Sequence, residues 1–275
     1  MPNTRIKRFS VIERLFHLFL MITFILQTAT GFSRLYITTA WGKKISAGFG
    51  GYETSLLIHQ WLGILMIIGF IIHSVYLLTR IEWRDPMRSI FGPDSLVPNF
   101  TDLQNLWQRI RWFFGLTPSP RFDRWTYWEK FDYWAVYWGL PLLGLTGVML
   151  MYPLVTARIL PGWALNVAAL LHRAEAILAA AYIFIVHFFI GHLRPFSFPM
   201  NEAMFSGDVP LEEALEEKPA WVDRLRSEGN RAAVSEAGPE LWYRVAYFIF
   251  GYAVLFFGIY LMINGIMYAR QISLH

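Results

Sequence analysis

The chain has no cysteine among its 275 residues. That absence excludes disulfides, iron–sulfur clusters, covalently attached c-type haem and a thiol nucleophile. Any iron–sulfur or c-haem relay working with it must sit on another subunit. Charge is scarce as well: Asp, Glu, Lys and Arg make up 16% of the residues, against about 25% in an average soluble domain. What fills the chain instead is apolar. Hydrophobic residues are 55% of it, with 12 Trp, 13 Tyr and 23 Phe, and such rings collect at membrane interfaces. Little is left for a water-soluble core, and no nucleic-acid partner is expected. The basic N-terminus runs into an apolar stretch with no small-residue cleavage pattern, so it reads as a retained first span.

A helix needs about 20 predominantly apolar residues to cross the hydrocarbon core. Five stretches qualify, at residues 15–32, 56–78, 133–152, 165–190 and 242–268. With the N-terminus inside, the inner flanks carry eighteen of the 24 Lys and Arg residues. The outer side keeps Arg34, Lys43, Lys44, Arg158, Arg173 and Arg270. Basic residues favour the cytoplasmic side, which predicts a cytoplasmic N-terminus and an extracytoplasmic C-terminus. Two segments on the inner side stand out. Residues 102–115 read as an amphipathic helix in the headgroup plane, with capping-box spacing between Thr101 and Gln104. Leu103, Leu106, Trp107, Ile110 and Phe114 share one of its faces. Residues 201–240 are polar and acidic, with helical stretches such as 210–217, and read as a solvated connector or a docking segment. No internal repeat is evident beyond a loose likeness between the second and fourth spans.

Of the seven histidines, five fall within the expected spans: His17, His59, His73, His172 and His187. Ionisable residues in the bilayer are costly and usually functional. His59 and His73 are 14 residues apart, and His172 and His187 are 15 apart. At about 1.5 Å per residue these separations are roughly 21 and 22 Å along the axis, and at about 100° per residue each pair keeps near one helix face. The two helices run in the same direction, so His59 and His172 lie at the outer depth, with His73 and His187 at the inner. Two planes of facing imidazoles suit two six-coordinate haems. Zinc or copper would need three or four ligands converging on one point. Gly63, Gly69, Gly139, Gly144 and Gly147 would let a flat macrocycle approach the backbone, although glycine is also common at plain helix contacts in membranes.

Several motifs resemble a known family: Ile12-Glu13-Arg14-Leu15-Phe16-His17, His59-Gln60-Trp61-Leu62-Gly63, Leu145-Thr146-Gly147-Val148 followed by Tyr152-Pro153, and Leu171-His172 followed by His187. Their order and spacing, over about residues 5–230, are similar to the di-haem cytochrome b subunits of membrane formate dehydrogenases and nickel–iron hydrogenases. These belong to the prokaryotic cytochrome b561 superfamily. The resemblance implies an all-α integral membrane bundle with a four-helix haem-binding core, here over residues 1–200; the apolar and polar pattern adds a cytoplasmic polar connector over 201–240 and a fifth C-terminal transmembrane helix with its tail over 241–275. It implies two haem b groups, the outer held by His59 and His172, the inner by His17 and His187, with quinone handled near the inner one. It also implies a bacterial or archaeal cytoplasmic membrane, and electron transfer between quinone and an extracytoplasmic iron–sulfur or multihaem cytochrome subunit.

Three features depart from the family pattern. His73 is an additional inner histidine, the fourth-span spacing is one residue longer, and a fifth span follows the core. His187 therefore has two candidate partners, His73 by depth and His17 by resemblance. A third haem using both, with His192 as a further ligand, is the crowded alternative. Arg14, Arg80, Arg173 and Arg194 flank the haem planes as propionate partners or interfacial snorkelling side chains. His275 reads as an exposed tail residue. The rival readings are a stand-alone quinol-linked haem reductase or oxidase, and a haem-free membrane anchor subunit.

Overall fold

The computed structural model describes residues 4–194, 197–229, 234–235 and 238–272; His275 lies outside these. The chain divides into two compact units. One is formed by Met1–Arg14, Ser74–Tyr137 and Asn201–Arg244, the other by Leu15–His73, Trp138–Met200 and Val245–His275. Among the described residues five helices are long and apolar enough to cross a membrane: Val11–Leu35, Tyr52–Thr79, Tyr127–Met151, Trp163–Leu193 and Leu241–Met267. The protein is an all-α membrane helical bundle, and these five are its spans one to five.

Two spans begin well before their apolar stretches, because a capping box starts each one. Before the first span, the Ser10 N–H donates to the Glu13 carboxylate at 2.6 Å and the Glu13 N–H to the Ser10 hydroxyl at 3.3 Å. At the third span, the Thr126 N–H donates to Glu129 at 2.9 Å and the Glu129 N–H to the Thr126 hydroxyl at 3.3 Å. Each box satisfies two N-terminal N–H groups that have no partner within the helix.

In the Leu15–His73, Trp138–Met200, Val245–His275 unit, the fifth span joins the bundle through Gly251, Gly258 and Gly265, which recur every seven residues on one face. A Cβ on Gly258 would come within 2.8 Å of both Phe184 and Phe188, and one on Gly265 within 3.4 Å of Phe32. Small residues are what let rings and backbones approach in a bilayer. The resulting core joins Phe32, Tyr36, Trp41, Phe184, Phe188, Leu255 and Leu261. The Tyr36 hydroxyl donates to the Gly265 carbonyl at 2.9 Å, which satisfies the one polar atom on that ring.

The fourth span is not α-helical throughout. Trp163–Ala181 is α-helix, and Tyr182–His187 and Phe189–Leu193 are wound as π-helix. A π turn takes up a residue beyond the α repeat, and such turns often fall at functional sites. This is how the longer spacing from His172 to His187 is accommodated.

The other unit is a small polar fold rather than a solvated connector. Strands β1 (Arg5–Lys7), β2 (Asp208–Pro210) and β3 (Val234–Ser235) form an antiparallel sheet with β1 central. Ile6, Phe9, Ala203, Val209, Ala214, Trp221 and Val222 close a hydrophobic core beside it. Glu129 binds Arg8 and Lys218, both at 2.6 Å, and the two cations are about 5% and 4% exposed. Lys130 pairs with Asp102 at 2.8 Å, and Arg224 with Asp94 and Asp123 at 2.9 and 2.7 Å. Arg14, one of the four arginines considered for propionates, donates to the Phe205 carbonyl at 2.5 Å.

The amphipathic helix spans Phe100–Phe113, and its cap differs from the one expected. Asn99 is the N-cap and Asp102 closes the box, in place of Thr101 and Gln104. Asn ranks above Thr as a cap. The Asp102 carboxylate can also take the Lys130 ammonium while lying at the positive end of the helix dipole. Leu103, Leu106, Trp107, Ile110 and Phe114 are all exposed.

Candidate metal centres between the spans

The second and fourth spans bring His59 and His172 together, with ring centres 6.2 Å apart and planes at 79°. Each ring sits in the same local frame. Thr30 of the first span holds His59 Nδ1 at 3.0 Å from its hydroxyl, and Thr146 of the third span holds His172 Nδ1 at 3.0 Å. The next residue in each case is glycine, and a Cβ on Gly31 or Gly147 would lie 3.2 Å from the Cε1 of the ring beside it. Glycine here lets the imidazole edge lie against a neighbouring helix backbone.

The first and fourth spans bring His17 and His187 to 6.3 Å, with planes at 36°. His73, the other inner candidate, packs edge-to-face on Phe16 at 4.6 Å. His192 follows the π turns and touches the rings of Phe188 and Tyr252, at 5.8 and 6.0 Å. Its Nδ1 is buried with no hydrogen-bond partner.

Both ring separations fit one iron between two imidazoles. Two metal–nitrogen bonds of about 2 Å, each extended by the roughly 1.1 Å from ring nitrogen to ring centre, sum to about 6.2 Å. Among the described residues no cluster of three or more His, Cys, Asp or Glu could hold a metal ion. A second observation concerns Arg34, one helical turn beyond Thr30. Its guanidinium lies 4.3 Å over the Tyr52 ring, and its Nη2 donates to the Tyr52 hydroxyl at 3.0 Å. Its Nη1 is buried without a partner, which suits a carboxylate such as a haem propionate. Arg173, considered for that role from sequence, spends its Nε on the Ala169 carbonyl of its own helix at 3.2 Å.

Thr30, Thr146 and Arg34 were not legible as site residues from the histidine pattern, but a signal for the threonines exists. Ser10-x-x-Glu13 precedes Thr30-Gly31 by the same spacing that separates Thr126-x-x-Glu129 from Thr146-Gly147, 20 residues from cap to threonine. Spans one and three are thus an internal repeat, where only spans two and four had suggested one. Twenty residues at about 1.5 Å each cover roughly 30 Å, a hydrocarbon thickness. A threonine at that distance from a headgroup-level cap falls at the opposite face.

Five apolar spans with histidine pairs facing one another between them are what a b-type cytochrome of the membrane requires. More particularly, the chain belongs to the prokaryotic cytochrome b561 family, whose profile matches residues 8–207. The family binds haem b, and the protein is a multi-pass membrane b-type cytochrome of electron transfer. No curated protein matches the chain.

Proposed function

We propose that this cytochrome is the membrane electron conduit of a respiratory redox complex, carrying electrons between an extracytoplasmic redox subunit and quinone. Two haems serve it, the outer on His59 and His172 and the inner on His17 and His187. The carrying observation is the pair of ring separations, 6.2 and 6.3 Å. The 6.3 Å separation favours His17 over His73 as the partner of His187. Haem b, when bound, supplies a one-electron iron couple whose potential is set by axial ligands, burial and hydrogen bonds. The residues of the chain do the rest: the imidazoles hold the iron, Gly31 and Gly147 admit the rings, and Arg34 neutralises a propionate at the outer end. The distribution of Lys and Arg favours a cytoplasmic N-terminus, in a bacterial or archaeal cytoplasmic membrane. With no cysteine in the chain, an iron–sulfur or multihaem c partner must bring the outer redox centre. The loops containing Ala40–Gly48 and Pro153–Ile159 are the surfaces this orientation offers it.

The test is haem per polypeptide in protein purified with mild detergent. The expected value is two, falling to one in His59→Ala, His172→Ala, His17→Ala or His187→Ala and staying at two in His73→Ala. Loss on His73→Ala with retention on His17→Ala would overturn the inner assignment. Co-purification of an iron–sulfur or multihaem subunit supports the conduit, whereas a solitary chain that oxidises quinol unaided would replace it with the stand-alone reading.

A further inference from the structure

The two outer histidines are held by a device that appears twice. Thr30 is placed on its helix so that its hydroxyl oxygen lies 2.8 Å from the Leu26 carbonyl and 3.1 Å from that of Gln27. Thr146 stands 2.7 Å from the Leu142 carbonyl and 3.3 Å from that of Leu143. A hydroxyl has one proton. In both residues that proton is committed to the helix's own carbonyl, as is usual for threonine inside a helix. The oxygen can then only accept from the imidazole 3.0 Å away, so the Nδ1 of His59 and of His172 must carry the ring proton. With Nδ1 protonated, the lone pair of each neutral ring is on Nε2.

We infer that Thr30 and Thr146 are positioning residues for the outer haem, each fixing one axial histidine as the Nδ1–H tautomer with Nε2 turned over to iron. The inference rests on the proposed ligation by His59 and His172. Its chemical consequence goes further than orientation. A hydrogen bond from Nδ1–H to an acceptor draws the proton away from the ring, makes the imidazole more electron-donating, and favours ferric over ferrous iron. Since the device acts on both ligands of one haem, the two threonines lower that haem's potential together. Gly31 and Gly147 belong to the same device, because a side chain there would displace the ring that the hydroxyl is aimed at.

The experiment is a redox titration of the purified protein, read by the b-type absorption bands, with electron paramagnetic resonance of the ferric haems and haem content measured alongside. The variants are Thr30→Val, Thr146→Val, the double variant, and Thr30→Ser and Thr146→Ser. Valine keeps the shape and removes the acceptor; serine keeps the hydroxyl. Each valine variant is expected to raise the ferrous-to-ferric ratio of one haem several-fold at fixed ambient potential. The double variant should reach about tenfold, or about 59 mV for one electron, with shifted g values for that haem alone. Serine should restore both readouts. Haem lost in a valine variant and regained with serine also supports the role, since packing alone does not distinguish them in that direction. Retained haem with unchanged potential and g values would overturn the inference, as would haem loss that serine does not repair. Failure of the underlying ligation shows separately, as retention of both haems in His59→Ala.

Discussion

The two compact units handle polarity in opposite ways. In the bundle unit the buried threonine hydroxyls and the His59 and His172 imidazoles are satisfied by helix carbonyls and by one another. Thr23, Thr28, Thr30 and Thr146 all donate back to their own helices. In the unit with the small sheet, full charges are buried in groups: Glu129 with Arg8 and Lys218, and Lys130 with Asp102. The difference teaches where each kind of interaction can be tolerated. A lone ion in hydrocarbon is costly, whereas a neutral imidazole with a partner on one nitrogen keeps the other for a metal. Buried ion groups, in contrast, depend on each member, because deleting one leaves the others uncompensated.

The largest break in this comparison is at the imidazoles. His59→Ala or His187→Ala should each remove one of two haems, halving the b-band absorbance per polypeptide, while His73→Ala leaves it intact. Next is the ion group. Glu129→Leu leaves Arg8 and Lys218 buried without their anion and should destabilise its unit by about 3 kcal/mol, measured as an earlier thermal transition of the detergent-solubilised protein. Burial already pushes the Lys218 ammonium down to about 8 against the pull of Glu129, so this cation has little to spare. A smaller effect is expected from Gly31→Ala, where the added methyl meets the His59 ring. A cost of about 1–2 kcal/mol, with a shifted spectrum of the outer haem alone, would confirm that the first span backs that ring.

The smallest effect concerns Glu213. Burial, reinforced by Glu217 and opposed by Arg8 and Arg5, raises its carboxyl from 4.5 to about 7. The folded protein then holds a proton that the unfolded chain releases between those values. Its contribution to stability is complete below about pH 4.5 and is lost as pH rises through 7. Glu213→Gln should flatten that dependence, with a gain near pH 7.5 of about 2–4 °C in Tm, the shift that about 1 kcal/mol produces in a chain of this size. A Tm profile identical to the parent's between pH 5 and 8 would show that Glu213 does not titrate there.

The five spans were readable because each is a continuous apolar stretch with a length fixed by the bilayer. Their extra turns were not, since Thr126 and Glu129 look like ordinary polar flanks until the helix is seen to start between them. The cap of Phe100–Phe113 was misread for a related reason: Asn99/Asp102 and Thr101/Gln104 have the same spacing, and Lys130, far along the chain, favours the first. Residues 201–229 looked like a polar connector because their apolar side chains are few. Val209, Ala214, Trp221 and Val222 become a core only with Ile6 and Phe9 from the other end of the chain.

For the site itself, the sequence determined which histidines fall within the apolar spans and how far apart they lie along each one, because rise per residue and helix period depend on nothing but the chain. Only the tertiary structure decided the rest. It set the His17 ring 6.3 Å from that of His187 and His73 against Phe16. It let π turns carry the longer spacing of the fourth span, and it put Thr30 and Thr146 on the Nδ1 atoms of His59 and His172. Apart from the π turns, each of these is a contact between helices that are tens of residues apart, and position along one helix axis says nothing about rotation around it or about which neighbour it faces.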